Sequence, residues 1–133
     1  MTRQEQRKEC ILVVDDSADN LSLMKLILES EGYKVGTANS GQEALQKIEE
    51  YRPNLVLLDI MMPKMNGYEV IYRLRQDKNL PFIPVYFVTA DKYTDKNKAI
   101  AAGADGLIYK PVDLHELLLE VEKTIKTSKS FKA

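Results

Sequence analysis

Residues 55–67 read Leu-Val-Leu-Leu-Asp-Ile-Met-Met-Pro-Lys-Met-Asn-Gly. The run 55–58 is apolar without interruption and ends on a carboxylate. A continuous apolar run is the pattern of a strand covered by helices on both faces, as in a parallel sheet. Residues 11–14 and 85–88 repeat it and are closed by Asp15 and Thr89, so these three strands are expected at the centre of the sheet. Residues 33–38 and 107–109 are shorter or more mixed and suit strands nearer the edges. Helical patterns alternate with the runs, which is the signature of βαβ units and of an α/β fold.

The helices follow their own period. Leu21, Met24 and Leu28 form one apolar face, with Leu23 and Ile27 beside them, and Gly32 follows as a C-terminal stop. Ala44, Leu45 and Ile48 form the next. Ser40 and Glu43 precede that face at capping-box spacing, so the serine oxygen can accept a free N–H while the glutamate reaches back. A third helix covers 68–76, and a fourth, 94–102, is polar, weakly patterned and expected to be the most mobile. In the last, Leu114, Leu117, Leu118, Val121 and Ile125 lie at i, i+3, i+4, i+7 and i+11 behind an Asp113 cap.

With 133 residues and 44% hydrophobic content the chain suffices for one core. Nineteen basic and 20 acidic residues leave a net charge of -1, so no global field draws it to nucleic acid or to an anionic membrane. The longest uncharged stretch, 80–90, contains prolines and falls short of the roughly 18 apolar residues of a membrane span. The polar start does not read as a secretory signal, and a cytoplasmic protein is expected. Cys10, the single cysteine, heads an apolar run, where a buried thiol in a reducing compartment is the ordinary reading. His115, the single histidine, reads as a solvated residue of the last helix rather than a phosphotransfer group. Lys123, Lys126, Lys129 and Lys132 answer the C-terminal end of the helix dipole, and Gly103 and Gly106 read as turn residues with no phosphate-loop fingerprint around them. One domain is expected over 10–126, between flexible tails at 1–9 and 127–133.

Open α/β sheets bind ligands outside the carboxyl ends of their strands, and here those ends are polar. They carry Asp15 and Asp16, then Asp59, then Thr89, then Lys110 with Pro111 behind it. Three crowded carboxylates all stay ionised at neutral pH only when cations neutralise them. Oxygen donors without a His or Cys cluster favour a hard cation, and a site with few protein ligands suits Mg²⁺. Lys110 adds fixed positive charge and Thr89 a hydroxyl, so Asp59 can act as a nucleophile toward a phosphoryl group and become an aspartyl phosphate.

Val-Val-Asp-Asp at 13–16, the 57–67 segment quoted above, Val-Thr-Ala at 88–90, Ala-Gly-Ala-Asp-Gly at 102–106 and Tyr-Lys-Pro at 109–111 together resemble the receiver domain of two-component response regulators, of the single-domain chemotaxis type. The match runs over residues 10–125. The resemblance implies a flavodoxin-like, doubly wound sheet of five parallel strands in the order 2-1-3-4-5 with five helices. It implies phosphorylation of Asp59 with the help of Thr89 and Lys110, Mg²⁺ held by Asp16, Asp59 and the Met61 carbonyl, and Asp15 acting through metal-bound water. A cis peptide bond between Lys110 and Pro111 also follows from it. The implied donor is a sensor histidine kinase or a histidine phosphotransfer protein. The added charge, about -1.5 to -2, would draw Thr89 and Lys110 inward and bias the fourth helix and fifth strand toward an output partner. A phosphorylation-dependent dimer through that face stays open; neither nucleic acid nor a membrane is expected as a partner of this chain.

Leu107 departs from the pattern, standing three positions before the lysine where such domains usually carry an aromatic switch residue. Tyr109 lies next to Lys110 instead. Asn66 replaces a more frequent aspartate, and Met61 and Asp91 occupy positions that tune phosphoryl lifetime in this family. Two rival readings share the fold. A haloacid-dehalogenase-like phosphohydrolase needs a second aspartate two residues after its nucleophile, where this chain has Met61. A phosphate-independent scaffold is kept open by Leu107 and opposed by the intact Asp15, Asp16, Asp59 and Lys110. A switching module that turns over no external metabolite is the expected function.

Overall fold

The computed structural model describes residues 9–132, with side chains as far as Thr127. Five strands alternate with five helices: β1 (Cys10–Val14), α1 (Ala18–Ser30), β2 (Lys34–Ala38), α2 (Gly41–Tyr51), β3 (Leu55–Leu58), α3 (Gly67–Gln76), β4 (Val85–Thr89), α4 (Lys96–Ala101), β5 (Gly106–Tyr109) and α5 (Leu114–Lys132). All strand pairs are parallel and the order is β2-β1-β3-β4-β5. The three continuous apolar runs are central and the two mixed ones lie at the edges, as their patterns require.

Successive side chains of a strand point to opposite faces, and β1 shows what that does to the core. Leu12 and Val14 join Val56, Leu58, Val85 and Phe87 under α2, α3 and α4. Ile11 and Val13 join Leu55, Leu57, Val88 and Ile108 under α1 and α5. Both faces are covered, so every position of the run must be apolar. Leu117 of α5 is fully enclosed in the second layer, where truncation of a leucine to alanine costs about 2–5 kcal/mol.

The helix ends are set by short side chains. Ser17, Ser40, Asn66 and Asp95 each accept a backbone N–H at the start of α1, α2, α3 and α4, and Asp113 Oδ1 accepts the Glu116 N–H at α5. Glu43 reaches back further than a capping box requires, accepting the N–H of Asn39 at 2.7 Å. Gly32 and Gly103 turn the chain after α1 and α4 with φ of +94° and +106°. The Lys110–Pro111 bond is cis. Among the described residues no helix is long and apolar enough to cross a membrane.

Several expectations change. α4 begins at Lys96, because Thr94 is buried and engaged in the preceding loop while Asp95 supplies the cap. α5 runs to Lys132, so residues 127–132 of the expected C-terminal tail continue the helix, and no proline or glycine follows Ile125 to stop it; Ala133 lies outside the described residues. Of the expected N-terminal tail, residues 1–8 lie outside the described residues. Cys10 is only half-buried, and Leu114 faces solvent.

Gly106 is a strand residue, not a turn. It pairs with Tyr86 across β4 and β5, and a Cβ there would lie 2.4 Å from a carbon of the Tyr86 ring. That ring spans the gap to α5, where its hydroxyl donates to Glu120 Oε2 at 2.7 Å. The Gly106→Ala protein is therefore expected to lose about 1–3 kcal/mol of stability, the usual range for overpacking, in urea unfolding. An unchanged midpoint would show that the Tyr86 ring gives way to the added methyl without cost.

Candidate functional site

β1 and β3 are hydrogen-bonded neighbours, yet the chain leaves them in opposite directions, from β1 to β2 and from β3 to β4. A crevice opens at such a point, outside the carboxyl ends of the strands. The register sets Val14 beside Leu58, and the Asp59 N–H donates to the Val14 carbonyl at 2.9 Å. Asp15 and Asp59 consequently emerge side by side. Both are buried, 6% and 5% exposed, while Asp16 faces solvent at the rim. One carboxylate oxygen from each of the three lies within 4.8 Å of the other two.

Lys110 arrives from the other side of the sheet. Its N–H donates to the Thr89 carbonyl at 2.8 Å, which continues the β4–β5 ladder into the loop. Its Nζ donates to Asp15 Oδ2 at 2.6 Å and to Asp59 Oδ2 at 3.3 Å. Burial works to lower the lysine pKa, but the hydrogen bond to Asp15 and the charges of both carboxylates outweigh it and raise the pKa above its ordinary value. Asp59 is raised as well. Burial is the main cause; Lys110 and the Met61 N–H oppose it, and the charge of Asp15 adds to it.

Neighbouring groups fix the carboxylates in place. Asp15 Oδ1 accepts the Ser17 N–H at 2.9 Å and Oδ2 accepts the Asn20 side-chain amide at 3.3 Å. Asn20 was missed in the sequence, although its spacing from Ser17, the cap of α1, places it on the first turn above Asp15. Asp59 Oδ1 accepts the Met61 N–H at 3.2 Å, so the backbone at 61 lies over the acceptor while the Met61 side chain faces solvent. Gly67 permits this loop to close. Its N–H donates to the Ile60 carbonyl at 2.8 Å, and a Cβ there would meet the Asp59 carbonyl oxygen at 2.7 Å. Asn66 caps α3 through the Glu69 N–H, which accounts for a short polar residue before Gly67. Thr89 is fully buried at the end of β4, with its Oγ1 accepting the Asp91 N–H at 3.1 Å.

Asp15, Asp16, Asp59 and Lys110 are thus brought together, with Thr89 and the Met61 backbone adjoining. The donors are all oxygens, two carboxylates are buried and one is open to water. That set fits a hard divalent cation that keeps part of its own hydration.

Residues 11–122 match the family model of the response regulator receiver domain. The chain is 40% identical over 119 residues to the alkaline phosphatase synthesis transcriptional regulatory protein PhoP of Bacillus subtilis, covering 89% of this chain and 49% of that protein. It therefore spans about half the length of that relative. Among solved structures, the chemotaxis protein CheY4 of Vibrio cholerae superposes with a TM-score of 0.81 at 30% identity, covering 89% of this chain and 99% of the other. A CheY-like receiver domain protein of Methanospirillum hungatei gives 0.84 at 34% identity, with coverage of 93% and 98%.

A ligand that binds only the folded state stabilises it by mass action, by about 2.7 kcal/mol at 100 times its Kd. Saturating Mg²⁺ is expected to raise the unfolding free energy of the wild-type protein by about that amount, and to raise that of Asp16→Asn far less. No gain in the wild type, or an equal gain in the variant, contradicts a cation site built from these carboxylates.

Proposed function

This chain belongs to the response regulator receiver domain family, and we propose that Asp59 is the residue on which it accepts a phosphoryl group. The observation that carries the reading is the placement of Lys110 Nζ between Asp15 and Asp59, at 2.6 and 3.3 Å, beside three carboxylates that can share a cation. The donor is a phosphohistidine of a sensor histidine kinase or a histidine phosphotransfer protein. One Asp59 oxygen attacks phosphorus in line. The new O–P bond forms as the P–N bond breaks, and the imidazole nitrogen keeps the electron pair and takes a proton from water.

The chain's own residues then divide the work. Asp15, Asp16, Asp59 and the Met61 carbonyl would hold Mg²⁺, with Asp15 acting through a water. When bound, that ion supplies positive charge to the phosphoryl oxygens. Lys110 exchanges part of its bond to Asp59 for one to a phosphoryl oxygen. Thr89 turns its hydroxyl to donate to another, and both act in a partly dehydrated crevice where charge–charge interactions are strong. The Met61 N–H holds the acceptor carboxylate in one orientation. The same residues assist loss of the phosphoryl group to water, so the domain contributes to its own phosphorylation and dephosphorylation. We place this exchange in the cytoplasm. The face of α4 and β5 meets the output partner or a second phosphorylated copy.

Treatment with a small-molecule phosphodonor is expected to add one phosphoryl group to the intact mass in the presence of Mg²⁺. That gain should be absent without the ion and absent in Asp59→Asn. Lys110→Ala should take up the group far more slowly while retaining its fold. Equal labelling of Asp59→Asn would exclude Asp59 as the acceptor. A wild-type protein that neither the phosphodonor nor a cognate kinase labels would favour the phosphate-independent scaffold that Leu107 leaves open.

A further inference from the structure

Leu107 and Tyr109 share one face of β5. Leu107 packs into the layer under α2, α3 and α4, and its side chain has no polar atom with which to answer a movement of Thr89. Tyr109 stands one pleat nearer the site. The register places it directly beside Thr89, and the residue is 45% exposed.

The two are linked through Thr94, in the loop between β4 and α4. The Thr94 side chain is buried, 1% exposed, and donates its hydroxyl to Asp91 Oδ2 at 3.0 Å. That bond uses the only proton of the hydroxyl, so the Tyr68 phenol, 2.8 Å from Thr94 Oγ1, is the donor of that second contact. The Thr94 carbonyl accepts the Tyr109 hydroxyl at 2.6 Å. Asp91 closes the chain: its N–H donates to Thr89 Oγ1 at 3.1 Å, and its carbonyl accepts the Thr94 N–H at 3.3 Å. Tyr68 is in turn fixed edge-on against Phe87 of β4, ring centres 5.3 Å apart.

We propose that Thr94 is the coupling residue of this domain: it fastens the loop after Thr89 to Tyr68 of α3 and to Tyr109 of β5, and so carries a displacement of Thr89 to an exposed aromatic ring. The inference rests on the reading of Asp59 as the phosphoryl acceptor. When Thr89 turns its hydroxyl toward a phosphoryl oxygen, the Asp91 N–H loses its alignment with Thr89 Oγ1. Asp91 also holds the Thr94 hydroxyl, and buried polar groups keep their bonds because leaving one unpaired is costly. The loop therefore shifts as one piece, and the Tyr109 hydroxyl must follow the Thr94 carbonyl or release it. Tyr109 thereby does what an aromatic residue at 107 does elsewhere. Thr94 and Tyr68 are positioning residues, since neither touches the acceptor.

The test uses the full chain labelled with 3-fluorotyrosine, its seven tyrosines assigned from single Tyr→Phe variants. Beryllofluoride, which mimics a phosphoryl group on a carboxylate, is added with Mg²⁺, and its own bound ¹⁹F signal reports occupancy of Asp59 independently. In the wild type the Tyr109 and Tyr68 signals are expected to shift on saturation. In Thr94→Val beryllofluoride should still bind, with the Tyr109 shift largely lost, and Thr94→Ser should restore it. Tyr68→Phe carries the same test if Thr94→Val does not fold, because it removes only the hydroxyl that braces Thr94. Bound beryllofluoride with unmoved Tyr109, or a full Tyr109 shift in a folded Thr94→Val, overturns the inference alone. Absence of bound beryllofluoride in the wild type overturns the reading of Asp59 and this inference with it.

Discussion

Two buried carboxylates set side by side, with a third at the rim, repel one another. At an effective dielectric of about 20, a pair within 4.8 Å repels by on the order of 3 kcal/mol. The Nζ of Lys110, bonded to both Asp15 and Asp59, offsets that repulsion, and the rest of the fold is arranged so that it can. β1 and β3 must be adjacent and in a register that brings Asp15 and Asp59 out together. β5 must lie beyond β4, so that Lys110 reaches back across the strand end. A slip of one residue would turn each of these groups to the opposite face of the sheet.

That constraint explains why so much of the fold is readable from sequence. The strand runs are apolar at every position because helices cover both faces, and the polar residues that interrupt them mark the strand ends that make the site. Caps at Ser17, Ser40 and Asp113 are local events, settled within three residues by a side-chain oxygen and a backbone N–H. The elements that escaped the reading depend on residues far apart in sequence. Gly106 looks like a turn glycine until the Tyr86 ring is laid across it. Arg75 looks like a surface residue of α3, yet its guanidinium donates to the carbonyls of Ile83 and Gly103 and to Asp105. Thr94 has the pattern of a first helical residue and instead sits buried in a loop, bonded to Asp91 of the same loop, to Tyr68 of α3 and to Tyr109 of β5. The end of α5 is hard to read for a different reason: a Lys/Ser-rich stretch has the composition of a tail, yet it holds no proline or glycine to stop a helix, and α5 continues to Lys132.

The two ends of the sheet divide stability from switching. Away from the carboxylates, Arg75 joins the end of α3 to the turn before β5, and Phe82 stacks on its guanidinium at 4.6 Å. At the carboxylate end the loops after β3 and β4 are held mainly by hydrogen bonds of single side chains and backbone N–H groups. Such contacts can exchange partners when charge is added. Asp59 lies beside the Asp15 carboxylate and the Lys110 Nζ, where burial already raises its pKa, so charge added at that carboxylate acts directly on groups that are already crowded.

The most direct test of this account is to trap the covalent product. An aspartyl phosphate is an acyl phosphate, which borohydride reduces to the alcohol, leaving homoserine in place of aspartate. After phosphorylation with Mg²⁺, reduction and peptide mass analysis, the account predicts homoserine at position 59 and unmodified Asp15 and Asp16. Homoserine at 15 or 16, or a phosphoryl group that resists reduction on a hydroxyl side chain, would contradict it.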